Sequence, residues 1–297
     1  MEFEENFFEE EIRSDHLVSK KMKRIWAVEM EMLDWFDRFC RRNCLRYWVG
    51  YGTMLGAARH KGFIPWDDDI DVIMPRPDYE RMKKCIQDEL PEYYFFQNSY
   101  TENIVIAFSK IRDSRTTAYE KSWGKSMHMG IFIDIFPLDG AYMETGSNIS
   151  QIELELWMSI VRPDMMYQHM VDKDVVLNLP DDMLKEILVL DVKDKMNIFE
   201  DFCASHYEEA VYINDVNYEL FGRSQTKCKK EWFEETIYLP FENMSVPMPK
   251  GYDLVLQTLY GDWHQIVKGG TAHEGIIIEP DIPYKEFFKQ LEENGEE

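Results

Sequence analysis

The most informative part of the chain is an acidic segment that leads into an apolar run: Phe63-Ile64-Pro65-Trp66-Asp67-Asp68-Asp69-Ile70-Asp71-Val72. The run 70–74 predicts a β-strand, and four carboxylates within five positions at its start would repel one another at neutral pH. In an extended segment Asp69 and Asp71 point to the same face, and Asp67 could continue the row. A row of hard oxygen ligands of this kind predicts a binding site for Mg²⁺ or Mn²⁺.

A calcium loop and a solvated acidic turn are the alternatives for this segment. An EF-hand loop requires glycine at its sixth position and glutamate at its twelfth, where this chain has Val72 and Asp78, so that calcium site is excluded. A solvated acidic turn without an ion stays open. Trp66 and Ile70 favour the metal site, because they indicate that the segment packs into the interior.

A third carboxylate lies inside another apolar run, residues 130–136, in which Asp134 is the single charge. Burial of an unpaired carboxylate is costly, so Asp134 requires a cation or a shifted pKa. A metal ion would supply that cation, and a buried arginine is the alternative partner.

The segment before the acidic cluster predicts a strand over 46–49, a turn at Gly50-Tyr51-Gly52-Thr53 and a helix over 54–59. A strand and a glycine turn, then two aspartates one residue apart, then a third on a later strand is similar to the arrangement of polymerase-β-like nucleotidyltransferases. This similarity implies that Gly52 and Thr53 face phosphate at a helix N-terminus. It also implies that Asp69, Asp71 and Asp134 hold metal ions that stabilise the attacking and leaving oxygens.

A closer resemblance covers the chain from about residue 46 to its end. Residues 51–71 resemble the signature of the LicD family, whose domain is shared by bacterial phosphorylcholine transferases, fukutin and fukutin-related protein. Residues 133–139 (Ile-Asp-Ile-Phe-Pro-Leu-Asp) resemble its second block, and Val246-Pro247 followed by Tyr260-Gly261-Asp262 resembles its C-terminal block. The resemblance is weakest across the central helical stretch, and the chain departs from the commoner family pattern after Asp262.

The resemblance implies transfer of phosphocholine from CDP-choline to a sugar hydroxyl of a cell-surface glycan, such as a teichoic acid or lipopolysaccharide precursor, with release of CMP. It assigns the metal, Mg²⁺ or Mn²⁺, to Asp69, Asp71 and Asp134, with Asp67 as a further candidate. Asp134 or a neighbouring carboxylate could also accept the proton of the sugar hydroxyl. Three alternatives stay open: transfer of phosphoribitol or another CDP-alcohol group, a nucleotidyltransferase that releases pyrophosphate, and a noncatalytic glycan-binding member.

Basic and aromatic residues around these motifs are candidates for donor binding. A diphosphate needs cations, and the candidates are Arg59, His60, Lys61, Lys110 and Arg112; salt bridges to the surplus of acids are an equal alternative for each. Choline is recognised by aromatic faces, and the candidates for such a cage are Tyr51, Trp66, Trp123 and Tyr119, although core packing is the commoner role of an aromatic side chain.

Periodicity predicts an α/β (α+β) fold, and the resemblance implies that its core sheet is polymerase-β-like. We predict four parts: an N-terminal helical segment (1–45), a catalytic core (46–140), a helical subdomain (141–235) and a C-terminal segment that completes the LicD domain (236–297). Helices are predicted over 19–43, 77–89, 151–161, 182–207 and 251–260. Strands are predicted over 93–97, 104–111, 116–119, 130–136 and 236–241, with turns at Pro247 and Pro249.

Composition excludes several function classes. The 56 acidic and 33 basic side chains give a net charge of −23, which opposes nucleic-acid binding. The longest charge-free run is too short for a membrane span of about 18 residues. An acidic N-terminus and five scattered cysteines predict a cytoplasmic protein.

Cys203 and His206 have the spacing of half a zinc site, but no second half accompanies them.

Overall fold

The computed structural model describes residues 1–102, 104–141, 189–205, 207–215, 227–269, 273 and 275–295. Its helices are α1 (Lys20–Arg42), α2 (Tyr51–His60), α3 (Arg76–Glu89), α4 (Val192–Ser205), α5 (Tyr252–Tyr260) and α6 (Tyr284–Glu293). Its strands are β1 (Glu11–Arg13), β2 (His16–Val18), β3 (Trp48–Val49), β4 (Ile70–Pro75), β5 (Tyr94–Gln97), β6 (Ser109–Asp113), β7 (Thr117–Tyr119), β8 (Ile131–Ala141), β9 (Tyr212–Asn214), β10 (Cys228–Lys229), β11 (Thr236–Phe241), β12 (Met244–Pro249) and β13 (Ile277–Glu279). The α+β class predicted from the sequence is confirmed.

A mixed sheet forms the centre of the described structure. Its order is β10-β9-β8-β4-β3. β9 pairs with the C-terminal end of β8, while β6 pairs with the N-terminal half of β8 and also with β5. The β4–β8 pair is parallel, while β3, β6 and β9 run antiparallel to their neighbours. β1–β2 and β11–β12 are separate hairpins, and β13 pairs with β7. The two aspartate-bearing strands therefore lie side by side in the middle of the sheet.

Helix α1 packs against the sheet through one apolar face. Ser19 caps its N-terminus, where the Ser19 hydroxyl accepts a hydrogen bond from the Met22 N–H at 3.1 Å. The buried side chains recur every three or four residues: Trp26, Met30, Leu33 and Phe36. The indole of Trp26 stacks on Phe63 with ring centroids 4.5 Å apart, so α1 is fixed beside the acidic segment.

Helix α2 begins earlier than predicted, at Tyr51 rather than residue 54, so Gly52 and Thr53 lie in its first turn. Tyr51 adopts a φ of +40°, a region that non-glycine residues seldom occupy. Gly56 allows a close approach farther along the helix, because a Cβ there would stand 2.4 Å from the carbonyl oxygen of Gly62.

Two smaller expectations are wrong. The strand predicted over 104–111 begins only at Ser109, because the Ser99 hydroxyl exchanges hydrogen bonds with the backbone of Ile106 in place of a sheet neighbour. Pro247 and Pro249 lie within β12 rather than in turns. Among the described strands β12 pairs with β11 alone, and an edge strand tolerates a residue that lacks an N–H.

The predicted helix over 151–161 lies outside the described residues. Of the helix predicted over 182–207, the structure contains α4 from Val192 to Ser205. β9 and β10, which also fall in the predicted helical subdomain, extend the central sheet. The domain boundaries themselves stay a prediction. In the part of the chain that the structure describes, every helix is too short or too polar to cross a bilayer.

Candidate metal and phosphate site

The parallel pairing of β4 and β8 places Asp71 directly opposite Asp134. Neighbouring strands are about 4.8 Å apart and paired residues point to the same face, so the two carboxyl groups share one side of the sheet. Asp69 stands two residues before Asp71, the interval that returns a side chain to that face. Asp71 and Asp134 are buried, with 9% and 6% exposure. The fold therefore brings together the three aspartates that the sequence analysis selected.

Lys110 is the cation opposite Asp134 on the neighbouring strand β6. Its ammonium group lies 2.8 Å from Asp134 Oδ1 and donates a hydrogen bond to Oδ2 at 3.1 Å. The buried Oδ1 is close to the ammonium group but accepts no hydrogen bond of suitable geometry from the described residues. Lys110 also stands 3.6 Å from the centroid of the Phe132 ring, which limits its movement. Lysine thus holds Asp134 in place and leaves Oδ1 able to accept a further partner.

The first turn of α2 lies against the same cluster. The Thr53 hydroxyl accepts a hydrogen bond from the Asp71 N–H at 2.9 Å, which joins the helix to β4. A Cβ on Gly52 would stand 2.5 Å from Asp67 Oδ2, so the Asp67 carboxyl group approaches the helix backbone closely. The first N–H groups of a helix have no partner within it and favour anions, so this edge suits both carboxylates and phosphate.

The positive charge of the described residues does not balance the aspartates. Burial, then the charges of Asp69 and Asp68 and a hydrogen bond with Asp69, raises the pKa of Asp67 to about 8. Burial and the charges of Asp69, Asp134 and Asp67 raise the pKa of Asp71 well above its usual value. Burial also raises the pKa of Asp69, although the charge of His273 opposes that shift. A divalent cation would reverse these shifts, because a positive charge favours ionised carboxylates.

His273 joins the site from the C-terminal part of the chain. Its Nδ1 lies 3.1 Å from Asp68 Oδ1, and its Nε2 lies 3.8 Å from Asp69 Oδ2. Burial lowers the pKa of His273, but the hydrogen bond with Asp68 and the charge of Asp69 outweigh it and raise the pKa to about 8. Ligand atoms of Asp68, Asp69 and His273 all lie within 4.8 Å of one another. The sequence analysis missed His273, since no spacing signal connects residues so distant in the chain.

Glu29 of α1 is a second residue that the sequence analysis missed. It is 2% exposed, and its Oε2 accepts no hydrogen bond from the described residues. Burial raises its pKa well above the usual value, and the charges of Asp69, Asp68, Asp67 and Asp71 raise it further. A signal was present, because Glu29 falls at a buried position of the apolar stripe of α1.

The residues present fit a divalent cation. Oxygen ligands are what Mg²⁺ and Mn²⁺ prefer, and this cluster offers several carboxylates in one buried place. Glu29 Oε2 is a buried oxygen without a hydrogen-bond partner among the described residues, which is costly without a positive partner, whereas Asp134 Oδ1 already lies 2.8 Å from the Lys110 ammonium group.

Arg112 is positioned as a structural residue. Its side chain is fully buried, and its three nitrogens donate to Gln97 Oε1, the Gly130 carbonyl and Glu120 Oε1. Arg112 and Lys110 both lie over the Phe132 ring. This is expected, because residues two apart in a strand point to the same face. The salt bridge to Glu120 corresponds to the alternative that the sequence analysis left open for each basic residue.

Arg59, His60 and Lys61 lie at the other end of α2 from Thr53, a rise of about 9 Å along the helix. The Arg59 guanidinium donates to the carbonyls of Trp263 and Gln265 at 3.0 Å and to His60 Nε2 at 3.0 Å. Burial, with the charges of Arg59 and Arg13, lowers the pKa of His60. Lys61 is exposed, in a left-handed conformation that ends the helix. None of the described contacts brings these three residues to the aspartates.

The aromatic candidates are dispersed. Trp66 is half-buried beside His16, with ring centroids 6.0 Å apart, and Tyr51 donates a hydrogen bond to Asp215 at 2.8 Å. Tyr119 and Trp123 belong to one cluster beneath α6. No shared cage of these four forms among the described residues. Of the half zinc site, Cys203 is buried on α4, and His206 lies outside the described residues.

The mixed sheet therefore brings the carboxylates of Asp71 and Asp134 together beside the N-terminus of α2. Residues 44–168 match the family model of the LicD/FKTN/FKRP nucleotidyltransferase domain. The chain therefore carries a LicD-family domain, and the resemblance identified from its motifs is confirmed.

Relatives of this chain include one with a named activity. The chain is 29% identical over 249 residues to lipopolysaccharide cholinephosphotransferase LicD of Haemophilus influenzae, an alignment that covers 80% of this chain and 89% of that protein. This chain is also 31% identical over 101 residues to uncharacterised proteins of Rickettsia prowazekii and Rickettsia typhi. These alignments cover 34% of this chain and 34% and 31% of the two proteins, respectively.

Proposed function

We propose that this protein transfers phosphocholine from CDP-choline to a sugar hydroxyl of a glycan precursor, in a reaction that requires Mg²⁺ or Mn²⁺ and releases CMP. One observation carries the proposal: Asp71 and Asp134 stand opposite each other on parallel strands, beside the first turn of α2. Similarity to a lipopolysaccharide cholinephosphotransferase over 80% of the chain supports a transferase of this kind and choline phosphate as the group transferred.

The reaction makes one bond and breaks one. An acceptor hydroxyl oxygen forms a bond to the phosphorus that carries choline, and the bond from that phosphorus to the bridging oxygen of CMP breaks. CMP leaves with the electron pair of that bond. The hydroxyl proton passes to a carboxylate, for which we propose Asp134, because its Oδ1 accepts no hydrogen bond from the described residues.

The residues around the aspartates have separate tasks in this proposal. Asp69, Asp71 and Asp134, with Asp67 as a further candidate, would hold the divalent cation, which when bound stabilises negative charge on the reacting phosphate oxygens. Lys110 orients Asp134 through their ion pair. The N–H groups in the first turn of α2 face the donor diphosphate, and the absence of a side chain at Gly52 permits a close approach.

The test is an assay of CMP release, by NMR or mass spectrometry, from CDP-choline, CDP-ethanolamine, CDP-ribitol and CDP-glycerol. Each donor is tested with Mg²⁺ or Mn²⁺ and with EDTA, with and without sugar acceptors. We expect metal-dependent release from CDP-choline. Asp71→Asn should abolish it, and Asp88→Asn, on the exposed side of α3, should leave it unchanged.

Different results of this assay separate the alternatives. Faster release from CDP-ribitol would favour phosphoribitol transfer, and pyrophosphate released from a nucleoside triphosphate would favour a nucleotidyltransferase. A protein that neither turns over nor binds any donor in calorimetric titrations, but binds glycans, would be a noncatalytic member. Undiminished release in EDTA would contradict the metal requirement. The cytoplasmic location and the absence of nucleic-acid binding stay predictions.

A further inference from the structure

Glu29 occupies a position where an apolar residue would be expected. It lies on the buried face of α1, one turn after Trp26 and one turn before Leu33. The Trp26 indole N–H donates to the Asp67 carbonyl at 2.9 Å, which fixes this face of the helix against the acidic segment. Because Glu29 lies on this buried face and the charges of Asp69 and Asp68 act on it, its carboxyl group faces the cluster from the helix side.

The described residues do not neutralise this carboxyl group in the way that they neutralise another buried charge of α1. About two turns earlier on the same helix, Lys23 is equally buried, at 2% exposure, and is ion-paired with Glu11. The charged groups that act most strongly on Glu29 are the carboxylates of Asp69, Asp68, Asp67 and Asp71. Its Oε2 has no hydrogen-bond partner in the described structure.

A buried oxygen that faces like charges is costly, and a leucine or methionine would fill the same space without that cost. The neighbouring β8 carries a second buried oxygen without a hydrogen bond, Asp134 Oδ1. That oxygen already stands 2.8 Å from the Lys110 ammonium group, so Glu29 Oε2 is the one of the two that a further cation at the cluster would account for.

We infer that Glu29 is a further acidic residue of the metal centre, which strengthens cation binding from the α1 side through its Oε2. This inference rests on the metal requirement of the proposed function. It adds a helix outside the matched family domain to the residues that hold the cation, and it gives a reason why α1 is fixed so closely against the acidic segment.

The test is Mn²⁺ binding by the full chain, measured by isothermal titration calorimetry and by electron paramagnetic resonance of free Mn²⁺, without any donor. Glu29→Gln keeps the shape of the side chain and removes its charge. We expect this variant to bind Mn²⁺ about 10- to 100-fold more weakly than the wild type. Glu31→Gln is the matched control, since Glu31 lies on the same helix, is 39% exposed and should leave the affinity unchanged.

Thermal melts in EDTA distinguish this role from a structural one. Glu29→Gln should melt at or above the wild-type temperature without metal, because it removes a buried charge, and it should gain less from added Mn²⁺. Glu29→Met, tested in the same way, serves if the glutamine variant does not fold. Wild-type Mn²⁺ affinity in a folded Glu29 variant would overturn this inference alone. Failure of the wild type to bind Mn²⁺ would overturn the metal requirement as well.

Discussion

Replacement of Gly52 by alanine tests whether the first turn of α2 sets the geometry of the site. The new Cβ would stand 2.5 Å from Asp67 Oδ2, whereas an ordinary contact needs at least 3.4 Å. The Asp67 carboxyl group must therefore move by about 0.9 Å, and a displacement of about 1 Å near a reacting centre can reduce the rate about 100-fold. We expect kcat/KM for CMP release to fall about 10- to 100-fold and Mn²⁺ affinity to fall about 10-fold.

Stability should change little in this variant. The contacted atom ends a flexible side chain, and alanine favours a helix over glycine by about 1 kcal/mol, so the free energy of unfolding should stay within about 1 kcal/mol of the wild type. Gly56→Ala is the contrasting variant, because its Cβ would stand 2.4 Å from the backbone oxygen of Gly62. It should lower the free energy of unfolding by about 1 to 3 kcal/mol.

Gly269→Ala is the neutral control, since no heavy atom lies within 4 Å of its Cβ position. The assays are donor-dependent CMP release, Mn²⁺ titration and urea unfolding on all three variants. Wild-type turnover and Mn²⁺ affinity in Gly52→Ala would refute the argument that Asp67 must hold its place against α2.

Further predictions concern the carboxylates and the basic residues. Asp134→Asn should reduce CMP release by at least about 100-fold, and retained Mn²⁺ binding in that variant would assign Asp134 as the proton acceptor rather than a ligand. In EDTA the melting temperature should fall from pH 6 to pH 9, because the pKa values of Asp67 and His273 in the folded state are both raised to about 8. The folded state therefore binds more protons than the unfolded state at pH 6 and loses that advantage as the pH rises. Saturating Mn²⁺ should flatten this pH profile, and an unchanged slope would contradict metal binding at the cluster. Arg112→Met should lower the free energy of unfolding by about 3 kcal/mol in urea titrations, because it removes the salt bridge to Glu120 and the buried hydrogen bonds to Gln97 and the Gly130 carbonyl. Arg59→Ala should keep CMP release within about threefold of the wild type, since its described hydrogen bonds go to the carbonyls of Trp263 and Gln265 and to His60. A greater loss would support its predicted role in phosphate binding.

Local patterns in the chain determined much of the secondary structure. The apolar spacing predicted α1 to within one residue at each end, and the apolar run in 70–74 predicted β4. These features depend on contacts between residues within one helical turn or one strand, and such contacts can be predicted from the spacing of residues in the sequence. The same reasoning placed Asp69 and Asp71 on one face, because a two-residue interval has the same meaning in any extended strand.

Only the tertiary structure decided which residues lie near the face that carries Asp69 and Asp71. The parallel register sets Asp134 opposite Asp71, β6 supplies Lys110, and the distant C-terminal part of the chain supplies His273. It also directed Arg59 away from the aspartates, although their sequence positions are close. Pairing between strands and the packing of helices on them depend on contacts between distant segments, and a local pattern carries no record of its distant partner. Glu29 illustrates the difference. Its position in the apolar stripe of α1 indicates that it is buried, but only the packing of α1 against the acidic segment shows that it faces the aspartates.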